Sequence, residues 1–122
     1  MHELDPEYKN NLLDLTSLAL FGSIFVLLLT IAFGISLPES DFEADTTTSV
    51  VWDSIEFTFI GKEGNTPTSY LWDFGDGNKS SEKNPIHTYK ETGVFTVSLT
   101  IIDVDGDFNT LIKKNYITIN NS

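Results

Sequence analysis

The feature that most constrains this fold is a short strand of alternating aromatic residues that ends in a glycine-rich turn. Tyr70, Trp72 and Phe74 recur at every second position, so a β-strand places all three rings on one face. Three aromatic rings on one face need an opposing sheet to bury them. The sequence Gly75-Asp76-Gly77 then predicts a tight turn, because glycine adopts positive φ without steric cost.

Further alternating segments predict a complete β domain over residues 49–122. Before the aromatic strand, apolar and polar residues alternate at 55–60. The longest predicted strand covers 94–102, with Thr96, Ser98 and Thr100 outward and the apolar residues between them inward. Roughly six or seven short strands separated by turn signals are typical of an antiparallel β-sandwich. The expected structural core includes Tyr70, Trp72, Phe74, Tyr89, Phe95, Val97 and Leu99.

The N-terminal part of the chain has the composition of a membrane anchor. Residues 15–37 contain no charged side chain, and a helix of this length spans ~35 Å, enough to cross a hydrocarbon core of ~30 Å. We expect one transmembrane helix here, after a polar segment at 1–14 and before a solvated acidic linker at 38–48. Lys9 before the helix favours a cytoplasmic N-terminus and an extracytoplasmic C-terminal domain in the cell membrane.

Small and polar residues share one side of this predicted helix. At about 100° per residue they fall within a sector of ~60°, and the large apolar residues lie opposite. Small residues four positions apart allow two helix backbones to approach closely, so we expect packing against transmembrane helices of other proteins. The alternative is that these side chains bond only their own helix. The predicted helix-packing seam is formed by Thr16, Ala19, Ser23, Thr30 and Gly34.

Charge and cysteine content exclude several classes of function. The chain has 18 acidic and 7 basic residues, a net charge of −11, and so acidic a surface repels nucleic acid. It has no cysteine, which excludes disulfides, thiolate metal sites and thiol nucleophiles. Its only histidines, His2 and His87, are far apart in the sequence, so we expect no multi-histidine metal site and no cofactor.

Two short motifs are candidate sites. Asp103, Asp105 and Asp107 resemble the start of a calcium loop, but the glycine and glutamate of an EF-hand are absent at the required spacing. These residues form either a loose Ca²⁺ site or an acidic hairpin turn. Asn78-Lys79-Ser80 fits the N-glycosylation pattern of a glycoprotein. Because no catalytic motif is present and short loops leave no cleft, we expect no enzyme activity.

Four motifs in order resemble the PKD (polycystic kidney disease) domain, at 72–77, 84–89, 93–99 and 103–106. The resemblance covers about residues 49–119. It implies an immunoglobulin-like sandwich that usually lies outside the cell, as an adhesion module or spacer attached to enzymes or surface proteins of archaea and bacteria. Within such a sandwich we expect Trp72 between the sheets, a structural His87, and Tyr89 as a tyrosine corner whose hydroxyl bonds nearby backbone.

Two functions are compatible with these predictions. The first is a non-catalytic accessory subunit of a larger membrane complex, whose sandwich covers the extracytoplasmic surface of a neighbour. The second is a free-standing, membrane-anchored adhesion module that contacts cell-envelope protein or glycan, with an archaeal filament or stator component as a variant. An exposed apolar patch on the sandwich favours the first function over the second.

Overall fold

The computed structural model of this protein describes residues 36–122. The polar segment at 1–14 and the packing seam from Thr16 to Gly34 lie outside the described residues, as does nearly all of the helix predicted at 15–37. Among residues 36–122, no helix is long and apolar enough to cross a membrane. The anchor and its seam therefore stay predictions.

The described chain folds into eight strands in two sheets. One sheet has three strands in the order β1-β3-β6, and the other has five in the order β2-β8-β7-β4-β5. The all-β sandwich predicted from the alternating segments is confirmed. The strands are β1 (Phe42–Ala44), β2 (Thr48–Val50), β3 (Ser54–Phe59), β4 (Ser69–Asp73), β5 (Lys79–Ser80), β6 (Ile86–Thr88), β7 (Gly93–Ile102) and β8 (Phe108–Asn120).

The β7–β8 hairpin forms the centre of the larger sheet. Strand β7 pairs antiparallel with β8 on one side and with β4 on the other, where Leu99 lies opposite Trp72. Opposite residues of an antiparallel pair point to the same face, so the period-two pattern fixes which side chains enter the core. The register shifts between Phe95 and Val97, and Asn115 on the facing strand adopts a positive φ of 51°.

Both sheets contribute side chains to one core. Trp72 is fully buried there, and its indole Nε1 donates a hydrogen bond to the Glu82 carbonyl at 2.8 Å. Of the expected core residues, Tyr70 and Phe95 are partly buried and pack against the others, which are buried. The buried set is Phe42, Ile55, Phe57, Phe59, Trp72, Phe74, Tyr89, Val97, Leu99, Ile101, Ile117 and Ile119.

Residues 38–48 do not form the solvated linker that the sequence predicts. They contain β1 and the start of β2, and Phe42 is fully buried with its ring centroid 5.1 Å from that of Trp72. Ser40 is also buried, and its hydroxyl donates a hydrogen bond to the Leu99 carbonyl at 2.8 Å. A strand of three residues is too short to show a period, so one aromatic residue among acidic ones gives no strand signal.

Side chains of β8 close the outer edge of β1. The Ala44 amide donates a hydrogen bond to the Tyr116 hydroxyl at 3.0 Å, and the Lys113 ammonium donates one to the Phe42 carbonyl. An edge strand with unpaired backbone groups invites pairing with other chains. These two contacts therefore protect β1 and join it to the opposite sheet.

Candidate functional site

A hydrogen bond between Asp76 and His87 ties the turn after β4 to the smaller sheet. Gly75 and Gly77 in this turn have φ values of 83° and 90°. One Asp76 oxygen accepts a hydrogen bond from the Asn78 amide at 3.0 Å, which stabilises the turn. The other Asp76 oxygen lies 2.7 Å from Nε2 of His87 on β6. The motif that the sequence singles out is therefore a joint between the two sheets.

His87 is packed into this joint by aromatic contacts. Its ring stacks on Phe74 at a centroid distance of 4.1 Å, and the Tyr89 ring lies against it at 84°. Burial works to raise the pKa of Asp76, but hydrogen bonds from His87 and Asn78 outweigh it and hold that pKa below its usual range. His87 thus occupies the structural position that the resemblance implies.

Tyr89 bonds to backbone, but not to the nearby backbone of a tyrosine corner. Its hydroxyl donates a hydrogen bond at 2.9 Å to the carbonyl of Phe74, 15 residues earlier in the chain. Burial raises the pKa of this hydroxyl, and the charges of Asp76 and Asp73 add to the effect. Tyr89 follows β6 and Phe74 follows β4, so this bond also joins the two sheets.

Asp103, Asp105 and Asp107 lie together in the turn between β7 and β8. Each places a carboxylate oxygen within 4.8 Å of the others. Asp103 is buried, and its carboxylate accepts hydrogen bonds from the backbone amides of Asn65, Asp105 and Asp107 at 2.9–3.3 Å. Asp103 therefore stabilises the predicted acidic hairpin turn. Calcium binding by the three carboxylates stays a prediction.

Replacing Asp103 with alanine is expected to lower the free energy of unfolding by about 1–3 kcal/mol, because three backbone amides lose their acceptor. Asp107→Ala is the matched control, since Asp107 is exposed and such surface changes cost within about 0.5 kcal/mol. Denaturant unfolding of both variants, once in chelator and once in Ca²⁺, measures their free energies of unfolding. Equal losses in chelator would contradict the role of Asp103. Stabilisation by Ca²⁺ that Asp107→Ala removes would identify a cation site.

An open cleft lies beside the turn at 75–77, where the short loops predict none. Asn78 at this cleft is exposed, and its side-chain amide donates a hydrogen bond to the Asp76 carboxylate at 3.2 Å. N-glycosylation of Asn78 stays a prediction, to be tested by mass spectrometry of the native protein. The cleft has a volume of about 410 Å³ and is lined by Gly75, Asp76, Asn78, Lys90, Glu91 and Phe95.

The outward side of the five-stranded sheet carries exposed apolar residues. Leu71, Ile102 and Ile112 come from β4, β7 and β8 and are 47%, 40% and 56% exposed. Thr100 and Thr110 lie between them, opposite one another in the register, with their hydroxyls 2.7 Å apart. We call these five residues the apolar face. None of them is charged.

The outward side of the three-stranded sheet is different in character. It presents Glu43 from β1 and Glu56 and Thr58 from β3, paired with one another or with β6. Ile86 on β6 is its exposed apolar residue, at 66%. The domain therefore has one acidic sheet surface and one whose apolar centre is flanked by Asp73 and Lys79, which lie in register with Ser98 and Ile112. Exposed apolar residues from three neighbouring strands of a domain this acidic are typical of a protein-binding surface.

The sequence pattern predicts the outward threonines of β7 but does not reveal the apolar face. The part of the sequence that bears on this face is the alternation of Phe108, Thr110 and Ile112 at the start of β8. The intervening residues include Leu111, which is partly buried, so the two sides of this strand are similarly apolar. Only the pairing of β7 with both β8 and β4 brings Ile112 and Leu71 onto one surface.

Comparison with known proteins identifies the fold family. A PKD domain model matches residues 36–119, a range that includes β1 and β2. Among curated proteins, collagenase ColA of Bacillus cereus is 36% identical over an alignment of 98 residues that covers 57% of this chain and 10% of the collagenase. The chain thus spans about a tenth of the length of that relative.

Two crystal structures are similar over most of the described domain. The PKD1 domain of Vibrio anguillarum Epp has a TM-score of 0.58 at 32% identity, covering 70% of this chain and 99% of that domain. The PKD1 domain of the Vibrio cholerae metalloprotease PrtV has a TM-score of 0.56 at 30% identity, covering 67% and 98%. Both the family model and these nearly complete superpositions show that the chain belongs to the PKD domain family.

Proposed function

We propose that this chain is a non-catalytic accessory subunit of a larger membrane complex, anchored by residues 15–37 and docked through the apolar face. Membership in a family of accessory domains supports the non-catalytic part of the proposal. The observation that carries the docking is the exposure of Leu71, Ile102 and Ile112 on one side of the five-stranded sheet. The uncharged run at 15–37 supports the anchor.

The charge of the domain indicates the kind of partner. Residues 36–122 carry 14 acidic residues and 6 lysines, a net charge of −8 with neutral histidine. The apolar face contributes no charge to this total. A partner surface that is apolar at its centre and basic around it complements both features. Nucleic acid is excluded as the partner, because an acidic surface repels it.

The second candidate is a free-standing, membrane-anchored adhesion module that contacts cell-envelope protein or glycan, including an archaeal filament or stator component. The relatives favour it, because ColA is named a collagenase and PrtV a metalloprotease. In this case the apolar face binds cell-envelope protein or glycan and not a subunit of a membrane complex.

Solubilising native membranes in mild detergent separates the two candidates. The accessory subunit co-migrates with multi-span membrane proteins, whereas the adhesion module migrates alone or with cell-envelope material. Combining Leu71→Glu with Ile112→Glu is expected to weaken the complex at least about tenfold, since each side chain contributes about 1.5–3 kcal/mol when buried.

Ile86→Glu is the matched control for this double variant. Ile86 is 66% exposed, but it lies on the acidic side of the sandwich. Its replacement is expected to leave the complex intact. A complex that survives the double variant, or dissociates equally in the control, would contradict docking through the apolar face.

A further inference from the structure

Three exposed apolar residues lie in or beside the β7–β8 turn, at the end of the domain where the described chain begins. Leu37, Val104 and Phe108 are 43%, 57% and 71% exposed. Leu37 and Phe108 line one cleft of about 380 Å³, together with Gly106 of the β7–β8 turn. Val104 lies in the same turn, where its amide bonds to the Asn65 carbonyl at 3.0 Å. We call these three residues the apolar tip.

The apolar tip is next to the point where the uncharged run of the sequence ends. That run covers residues 15–37, so Leu37 is both its last residue and a wall of the cleft. If the run spans a bilayer, its last residue lies at the boundary between hydrocarbon and headgroups. Phe108 borders the same cleft, so it lies within a few side-chain lengths of that boundary. Exposed aromatic and apolar residues at this depth are stabilised by the membrane interface.

The charges around the apolar tip limit how deeply it can enter. Asp105 and Asp107 in the same turn are exposed, whereas the buried Asp103 carboxylate is already bonded to backbone amides. Exposed carboxylates are repelled by anionic headgroups and are costly to bring into hydrocarbon. Contact with a neutral lipid surface at headgroup level partly removes the apolar residues from water and leaves the carboxylates hydrated.

We propose that the apolar tip rests in the headgroup region of the membrane that holds the anchor, so that the sandwich has a fixed orientation on the lipid surface. This inference depends on the anchor of the proposed function. Phe108 lies opposite Ile102, at the edge of the apolar face, and the inference concerns the contact of Phe108 with lipid. The hairpin turn at the C-terminal end of β7 then supports the domain on the bilayer.

The full chain can be labelled at single sites because its sequence contains no cysteine. Phe108→Cys carries an NBD dye at the apolar tip, and Ile86→Cys carries the same dye on the three-stranded sheet. Both residues are more than half exposed, so neither change disturbs the core. In phosphatidylcholine vesicles we expect a blue-shifted emission at position 108, with loss of intensity when headgroup-region nitroxide lipids are added. At position 86 we expect neither effect.

The same vesicles distinguish failure of this inference from failure of the anchor. Extraction with alkaline carbonate reports the anchor, because only a chain embedded in the bilayer stays with the vesicles. The chain could be retained while its dye at position 108 is as solvent-exposed and unquenched as the dye at position 86. That result would overturn the lipid contact but not the anchor. A chain released by carbonate would overturn both.

Discussion

Replacing Phe42 with alanine is expected to lower the free energy of unfolding by about 3–5 kcal/mol, the cost of removing a fully buried aromatic ring. The Phe42 ring lies edge-on to Trp72 at 5.1 Å and to Tyr116 at 5.7 Å. The Lys113 ammonium lies 4.7 Å from its centroid. Loss of the ring leaves a cavity between the sheets and removes all three contacts.

The matched control for this change is Phe108→Ala. The same atoms are removed from a residue that is 71% exposed, so a loss within about 0.5 kcal/mol is expected. Denaturant unfolding of both variants gives the comparison. Similar small losses would mean that residues 38–48 are the solvated linker that the sequence predicts and that β1 is not part of the folded domain.

Replacing Gly75 with alanine is expected to lower the free energy of unfolding by about 2–5 kcal/mol. Part of this loss is about 1–2 kcal/mol for a side chain at positive φ, here 83°. The rest is overpacking of about 1–3 kcal/mol, because the added Cβ would lie 2.4 Å from the backbone carbonyl oxygen of Thr96 on β7. A backbone carbonyl in a central strand cannot move away as a flexible side chain can.

Gly77→Ala separates these two contributions. Gly77 also has a positive φ, of 90°, but an added Cβ there meets nothing within 4 Å. Gly77→Ala is expected to lower the free energy of unfolding by about 1–2 kcal/mol, which is the cost of the positive φ alone. Thermal or denaturant unfolding of the two variants measures the difference. Equal losses would show that the turn does not approach β7 as closely as the structure has it.

Most of the sandwich follows from alternation that is visible in the sequence. Trp72 and Leu99 lie on strands long enough to show period two, and the structure places them opposite one another in the core. Phe42 could not be found in this way, because its strand has three residues and acidic neighbours. Its burial is set by a pairing with Phe59, 17 positions along the chain, which no local pattern encodes.

The candidate sites also differ in whether local sequence or long-range pairing determines them. The acidic turn at 103–107 is local, so the sequence predicts its position, but one of the three amides bonded to the Asp103 carboxylate is that of Asn65, in a distant loop. Tyr89 likewise bonds the carbonyl of Phe74, which follows β4, and not a carbonyl nearby in the chain. The apolar face needs three strands in register before Leu71 and Ile112 share a surface.

Photo-cross-linking in native membranes tests the central claim most directly. A benzophenone amino acid in place of Ile112 samples the apolar face, and the same amino acid in place of Ile86 samples the acidic side of the sandwich. Docking through the apolar face predicts a discrete adduct with a membrane protein from position 112 and none from position 86. No adduct from position 112, or the same adduct from both positions, would contradict it.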